Sequence, residues 1–414
     1  MPPTIRTITD AELPAWFDAS QTAFFMWSWG DGESAAAFRR PQIDLERTVG
    51  AFDGTTIIGT FRSFATELTL PGGRALPASA VSAVSVRPSH RRRGVLTAMA
   101  ADDLARTVRR GDPIGILFAS EWPIYGRYGY GPATWEASWQ VRSRAARVKG
   151  APIGSVEVTQ PKLARAILPP IYERYRARQA GEIARIDHRW DVMLGIVTPP
   201  GRPWPGPSVV AIHRDGRGEP DGYALYHGEE KWDEGIPDNV LLLDELHAAS
   251  EAAEIELWRF LCSLDLVATI KAGNRRVREP FPWYLEDVRA ARLTEVGEGL
   301  WLRMYDIPAV LSARSYEAGD RLVLEIVDRL SDGAGPAAGR FELDASPDGA
   351  TCRPTKASAD LTLDVSALGA AVLGGTRLDD AVRGGGASEA TPGALARAAR
   401  LLATADPPWC TTHF

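Results

Sequence analysis

Cysteine is scarce: the 414 residues hold three, Cys262, Cys352 and Cys410, with no CxxC spacing among them. Thiols so far apart cannot make a fully paired set, which excludes a disulfide-stapled scaffold and predicts reduced thiols in a cytoplasmic protein. Long apolar runs are missing too, since nothing approaches the roughly 18 residues of a membrane span. The opening MPPTIRTITDAELPAWF has no charged n-region followed by an apolar h-region, so neither insertion nor export by the general route is expected. Positive charge is in deficit, with 47 Lys+Arg against 53 Asp+Glu and a net charge of -6. That is the wrong sign for a protein that lives on nucleic acid and suits cationic small molecules better. No low-complexity segment occurs apart from the glycine run at 384–386, and no metal is called for.

What is present is an ordinary globular composition, 45% apolar and 24% charged. The length exceeds what one core organises, and about two or three domains are expected. Residues 57–86 alternate in short apolar runs broken at Pro71-Gly72-Gly73, which predicts antiparallel strands with a hairpin at 71–74. A helix follows, with Leu96, Ala100, Leu104 and Val108 recurring every four residues and Met99 widening the stripe. The run IGILFAS (114–120) reads as a buried strand.

A basic patch after Pro132 marks the first boundary. The second block has a helical segment at 161–181, a Pro/Gly-rich loop at 198–207 and strands within 208–247. Its last helix, at 251–265, carries Ile255, Trp258, Leu261 and Cys262 on one face. This order of strands and helix repeats that of the first block. A third block opens near Gly299, with strands at 321–328 and 340–345 and a final helix at 392–405. The expected domains are 1–145, 146–298 and 299–414.

The chemistry is densest in AVSVRPSHRRRGVLTAMA (83–100). A strand ending in Val84-Ser85-Val86 runs through a basic loop into a helix whose first turn contains Gly94. Free amides at a helix N-terminus attract phosphate, glycine admits close approach, and Arg92 and Arg93 add charge, so the segment reads as a pyrophosphate seat. A solvated basic patch is the plain alternative. Neither the GxxxxGK[ST] loop nor the GxGxxG fingerprint is present.

The stretch resembles motif A of the GCN5-related N-acetyltransferases, whose (Q/R)-x-x-G-x-(G/A) loop binds the pyrophosphate of acetyl-CoA. Leu96 stands where the second small residue would be, a departure characteristic of a subgroup. With ASEWPIYGRYGYGPAT (119–134), the pattern closely resembles the Eis family, the enhanced intracellular survival acetyltransferases. The resemblance covers the whole chain and implies an α+β architecture. Two tandem acetyltransferase-like domains, each a mixed central sheet flanked by helices, would precede a sterol-carrier-protein-like domain.

Carried over residue by residue, the family's acetyl-CoA contacts fall on Val84, Ser85 and Val86, on Arg92, Arg93, Gly94, Val95, Leu96 and Thr97, and on Ser120 and Glu121. The general acid falls on Tyr125, where a phenol can donate a proton to the leaving thiolate; Tyr128 and Tyr130 are close rivals. The resemblance also implies that the general base is the C-terminal carboxylate on Phe414, ionised at neutral pH because its reference pKa is about 3.5. His413 is its rival. The ending PPWCTTHF is apolar, and Trp409 and Phe414 are expected to dock together into the first domain's active site. The acidic DELHAASEAAEIELW, where the second block's equivalent helix begins, would repel a pyrophosphate, so one cofactor site per chain is expected.

For the acceptor, Phe25, Trp27 and Asp31 in FFMWSWGDGE suit a cation through ring and ionic contacts, although helix packing explains the aromatics equally. The resemblance implies primary amines of polycationic small molecules such as aminoglycoside antibiotics, with lysine side chains of proteins as an alternative, and a homohexamer. An apolar-ligand carrier is the reading from another class.

Overall fold

The computed structural model describes residues 3–25, 30–201, 208–330 and 333–414. The first part of the chain runs β1 (Thr4–Thr7), α1 (Leu13–Phe24), α2 (Gly32–Arg39), β2 (Thr48–Asp53), β3 (Thr56–Thr69) and β4 (Ala75–Val86). Gly72 and Gly73 turn β3 into β4 at φ 92° and 86°, a left-handed turn that glycine adopts without strain. Then come α3 (Val95–Arg110), β5 (Ile114–Phe118), α4 (Trp122–Tyr125) and β6 (Gly131–Pro132).

The second part begins with β7 (Trp135–Arg142) and β8 (Ser155–Thr159). The segment expected as one helix at 161–181 is two, α5 (Pro161–Ala164) and α6 (Leu168–Arg176), because the Pro169-Pro170 pair lacks backbone donors and is tolerated at a helix start. After α7 (Asp187–Met193) come β9 (Val209–Arg214), β10 (Pro220–Glu229), a small hairpin β11 (Trp232–Asp233) and β12 (Ile236–Pro237), and β13 (Asn239–Ala248). They are followed by α8 (Glu251–Ser263), β14 (Val267–Arg275), α9 (Phe281–Tyr284) and β15 (Ala291–Glu298). In α8 the buried positions are Ala253, Glu256, Leu257, Trp258 and Leu261, so Ile255 and Cys262 sit at the edge of the expected face.

The third part holds β16 (Leu300–Met304), α10 (Ile307–Ala313), β17 (Asp320–Val327), a second small hairpin β18 (Arg329–Leu330) and β19 (Gly333–Ala334), and β20 (Gly339–Ser346). It ends with β21 (Gly349–Pro354), β22 (Leu361–Asp364), α11 (Val365–Ala371), α12 (Leu378–Ala381), β23 (Ala387–Glu389) and α13 (Ala394–Leu402).

These strands build three principal sheets, ordered β1-β2-β3-β4-β5-β16-β6, β15-β7-β14-β13-β10-β9-β8 and β21-β20-β17-β22-β23. Both seven-stranded sheets are mixed: β4 and β5 are parallel, as are β13 and β14, and the other pairs are antiparallel. The first two sheets exchange strands. β7 follows β6 in sequence but pairs with β14 and β15 in the second sheet, whereas β16 follows β15 and pairs with β5 in the first. Sheet membership therefore changes between β6 and β7, ahead of 145/146, and at 298/299 the chain returns to the first sheet before it enters the third. Strand 135–142 belongs with the second sheet and strand 300–304 with the first. Alternation within a strand reports its two faces, not its neighbours, so the pairing was invisible in the sequence.

One apolar core joins Ile114, Ile116 and Leu302 of the first sheet to Leu324, Leu363 and Leu368 of the third part. The buried stripe of α3 is Val95, Met99, Asp103 and Thr107, one residue off the expected one, and Val108 is exposed. A carboxylate and a hydroxyl inside the stripe hid it from an apolar count. Cys262, Cys352 and Cys410 are free thiols, and among the described residues no helix is long and apolar enough to cross a membrane.

Candidate active site

The site grows from an irregularity at the end of β4. Pairing with β3 shifts register between Thr60–Ser85 and Arg62–Ser82, and Ala83 sits at φ 51°, the signature of a bulge. The Thr60 hydroxyl donates to the Ala83 carbonyl at 2.8 Å and lies 2.7 Å from Ser85 Oγ, so the Ser85 side chain is spent inside the sheet. Val84 and Val86 are half-buried against the core beneath α3. Beyond the bulge β4 leaves its parallel neighbour. The β4–β5 ladder covers Ala78–Ile114, Ser79–Gly115 and Ala80–Ile116 and stops, although both strands continue. An unpaired wedge of backbone amides and carbonyls opens there, able to accept an extended ligand that carries amides of its own.

At the mouth of the wedge, Arg92 (φ 61°) and Gly94 (φ 76°) bend the chain so that α3 begins at Val95 with no side-chain cap on its free amides. Arg92, Arg93, Gly94 and Thr97 are exposed, Leu96 is half-buried and Val95 is in the core. A Cβ on Gly94 would meet nothing within 4 Å, so the space over the helix end is open. Uncapped amides, the positive end of the dipole and flanking guanidinium groups fit a pyrophosphate.

On the far side of the wedge, Ser120 and Glu121 are exposed and lead from β5 into α4. Tyr125, at its end, is 8% exposed and packs with Val95, Met99 and Leu117. It lines a cavity of about 390 Å³ together with Leu96, Thr97 and Ala100 of α3. Burial pushes its phenol above the ordinary tyrosine value against an opposing hydrogen bond with Ser120, so it holds its proton at neutral pH. The rival tyrosines line the same cavity, and their hydroxyls are paired within it. Tyr128 Oη lies 3.3 Å from Thr97 Oγ1, and Tyr130 Oη lies 3.0 Å from Tyr305 Oη. Asp103 is the residue that sequence reading missed: it lines the same cavity, accepts from Ser63 Oγ at 3.0 Å, and burial pushes it up to about 6.

The chain end reaches the wedge by way of the second sheet. Trp409 docks not in the first domain, as expected, but in the second domain's core with Tyr172, Tyr175 and Trp190, where it is 1% exposed. Its backbone N donates to Ala180 O at 2.9 Å, and Arg275 lies over its ring at 4.8 Å. The indole fits there because that core offers aromatic neighbours and a cation, which the sequence could not assign to it. Next, Thr411 donates its N–H and hydroxyl to Glu182 at 2.9 and 2.6 Å. Arg185 donates to Thr411 at 3.0 Å, Thr412 at 2.8 Å and Glu245 at 2.9 Å. Burial favours the neutral form of Glu245, but the Arg185 charge outweighs it and holds the carboxyl far below its usual value.

From this clamp the last two residues turn back to the first sheet. His413 stacks on Phe118 at 4.1 Å and its Nε2 lies 2.8 Å from Glu136, while Phe414 meets Phe118 and Phe64 edge-on at 5.2 and 5.1 Å. Phe118 is the final residue of β5, so the chain end lies at the tip of the wedge.

The candidate acceptor residues are less coherent. Phe25 is 69% exposed at the end of α1, Asp31 caps α2 by accepting from Ser34 N at 2.9 Å, and Trp27 lies outside the described residues. At the matching place in the second sheet, Ser250 caps α8 through Ala253 N, Arg275 donates to Leu246 O at 3.0 Å across the β13–β14 gap, and Asn274 donates to Thr411 O at 3.2 Å. Among the described residues no three His, Cys, Asp or Glu side chains gather as a metal site.

Comparison with known proteins identifies the domains. Residues 4–133 match a family model described as an acetyltransferase (GNAT) domain, residues 181–304 a second model of the same description, and residues 307–411 a sterol carrier protein domain. An uncharacterized N-acetyltransferase of Streptomyces griseus is 40% identical over 418 residues, covering 99% of both chains. The N-acetyltransferase Eis of Mycobacterium tuberculosis is 37% identical over 340 residues, 79% of this chain and 78% of that one. Among solved structures, Eis1 from Mycobacterium abscessus superposes with a TM-score of 0.84 at 30% identity, covering 99% of this chain and all of the other. An α+β chain of two acetyltransferase domains and a sterol-carrier domain, with relatives of this identity along its length, belongs to the Eis family of GCN5-related N-acetyltransferases.

Proposed function

We propose that the protein transfers acetyl from acetyl-CoA to a primary amine, with Tyr125 as general acid and the Phe414 α-carboxylate as general base. One observation carries the reading: the wedge between β4 and β5 is bordered by the uncapped start of α3 and the cavity of Tyr125, and the chain's last residue packs on Phe118 at the wedge tip. Acetyl-CoA supplies the acetyl group as an activated thioester. Arg92, Arg93 and the first-turn amides of Val95, Leu96 and Thr97 would hold its pyrophosphate, and the free backbone of Val84 to Val86 its amide-bearing arm. Tyr125, kept protonated by burial, gives its proton to the departing sulfur. The Phe414 carboxylate takes the proton of the attacking amine, directly or through one water. His413 is the weaker candidate, because its Nε2 is engaged by Glu136 and its ring by Phe118. Aminoglycosides and lysine side chains are the two acceptor classes that the family resemblance suggests.

Thiol release across a panel of amines tests the activity, and the chain end tests the mechanism. Deleting Phe414 draws the carboxylate back by about 3.8 Å. Turnover should vanish while acetyl-CoA still binds, as measured by calorimetric titration. Full activity in that variant, or in one extended by a C-terminal tag, rules out the carboxylate and moves His413 into its place.

A further inference from the structure

The face of the first sheet turned toward the chain end holds a buried cation that the mechanism leaves unused. Arg62 on β3 is 8% exposed, its Nε has no hydrogen-bond partner, and no carboxylate among the described residues pairs with it. Its guanidinium lies 5.1 Å from the ring of Phe64, the ring that Phe414 meets edge-on. Arg189 of α7 donates to the His413 carbonyl at 2.5 Å, and its Nε is likewise buried without a partner. Arg39, at the end of α2, stands close enough to repel both. Burial and then the charge of Arg39 pull Arg62 down to about 10.

A buried guanidinium without an anion is costly, and such costs persist where a ligand supplies the counter-ion. We propose that Arg62 is the anion subsite of the acceptor pocket, so that the acceptor is a primary amine that also carries a carboxylate. The inference rests on the reading that the amine reacts beside Phe414. Three observations favour it. The planar fork of a guanidinium matches a carboxylate with two parallel hydrogen bonds. Phe64 beside it packs on Phe414, which packs on Phe118, and such a run of rings suits an apolar stem between amine and acid. The positive field of Arg39, Arg62 and Arg189 also lowers the pKa of an ammonium group entering it, which raises the fraction of neutral, nucleophilic amine. A wholly cationic acceptor meets the same field as repulsion, so aminoglycosides are poor acceptors on this reading.

Matched acceptors that differ by a carboxylate test it: lysine against cadaverine, and 4-aminobutyrate against butylamine, at saturating acetyl-CoA. The wild type should favour the carboxylated member by about tenfold in kcat/KM, the size of one charged hydrogen-bonded contact. The ratio should collapse toward one in Arg62→Met and recover in part in Arg62→Lys. Because Arg62→Met deletes an unpaired charge, its Tm should equal or exceed that of the wild type. A preference for the uncharged or polycationic amines, an unchanged ratio in Arg62→Met, or a clear fall in its Tm overturns the proposal. If no amine releases coenzyme A, the transferase reading fails separately. Calorimetric titration with N6-acetyllysine and N-acetylcadaverine then still decides the subsite, since equal binding of the two overturns it.

Discussion

Tyr125 and Asp103 border one cavity, and burial moves both toward their neutral forms. For Tyr125 the neutral form is the one the proposed mechanism uses. Tyr125→Phe should lower kcat by about a hundredfold or more, the usual worth of a general acid, while the Kd of acetyl-CoA stays put. For Asp103 the consequence is on stability. Its carboxyl rises from 3.8 to about 6 on folding, so across that window the folded chain keeps a proton that the unfolded chain has released. The contribution of Asp103 to stability is therefore fullest below pH 4, declines between about pH 4 and 6 and is level above, with a total loss of about 3 kcal/mol at most. Asp103→Asn can still accept from Ser63 and should raise Tm at pH 7 and flatten that decline, which calorimetry at stepped pH values measures. Of these two residues, only Tyr125 was legible from its motif. Asp103 sits within a helical stripe where an acid reads as surface, and its burial follows from what the sheet lays against α3.

At the scale of elements, the loop before α3 and the tail before Phe414 decide the site. Gly94 at φ 76° starts α3 without a cap. Gly94→Ala meets no steric obstacle, so its cost is the left-handed backbone alone, about 1 to 2 kcal/mol. The expected readout is a KM for acetyl-CoA raised several-fold with kcat little changed. The tail is held by Arg185, whose guanidinium spans Thr411, Thr412 and Glu245. Arg185→Met leaves Glu182 and Glu245 buried without their cation, at about 3 to 5 kcal/mol. In the protein that still folds, kcat should drop while the KM for acetyl-CoA holds, because the chain end moves and the α3 seat does not. A parallel rise in both constants would contradict a positioning role. The seat was legible because its determinants, glycine and arginines at a strand-to-helix junction, are contiguous. The clamp was not: Glu182, Arg185, Glu245 and Thr411 are scattered over 230 positions of sequence, counted inclusively.

At the scale of the molecule, the first two sheets exchange β7 and β16, and the first and third parts share a core. The first domain is therefore incomplete without residues 300–304, and residues 1–133 expressed alone should remain unfolded by circular dichroism. The full chain should unfold calorimetrically as one transition, since the first two sheets take strands from each other's stretch of chain and the first and third parts share a core. Two resolved transitions would contradict this coupling. The sequence by itself determined the three-part organisation and the candidate phosphate seat, because local spacing and turn chemistry carry that information, and its contiguous motifs carried the family resemblance that implied the class of protein and the candidate acid. Tertiary structure alone decided which sheet receives which strand, where Trp409 docks, how the chain end meets Phe118, and that a guanidinium is buried beside it. Each of these depends on burial and pairing between residues far apart in the chain, and the free energy that fixes them exists only once distant surfaces have closed on one another.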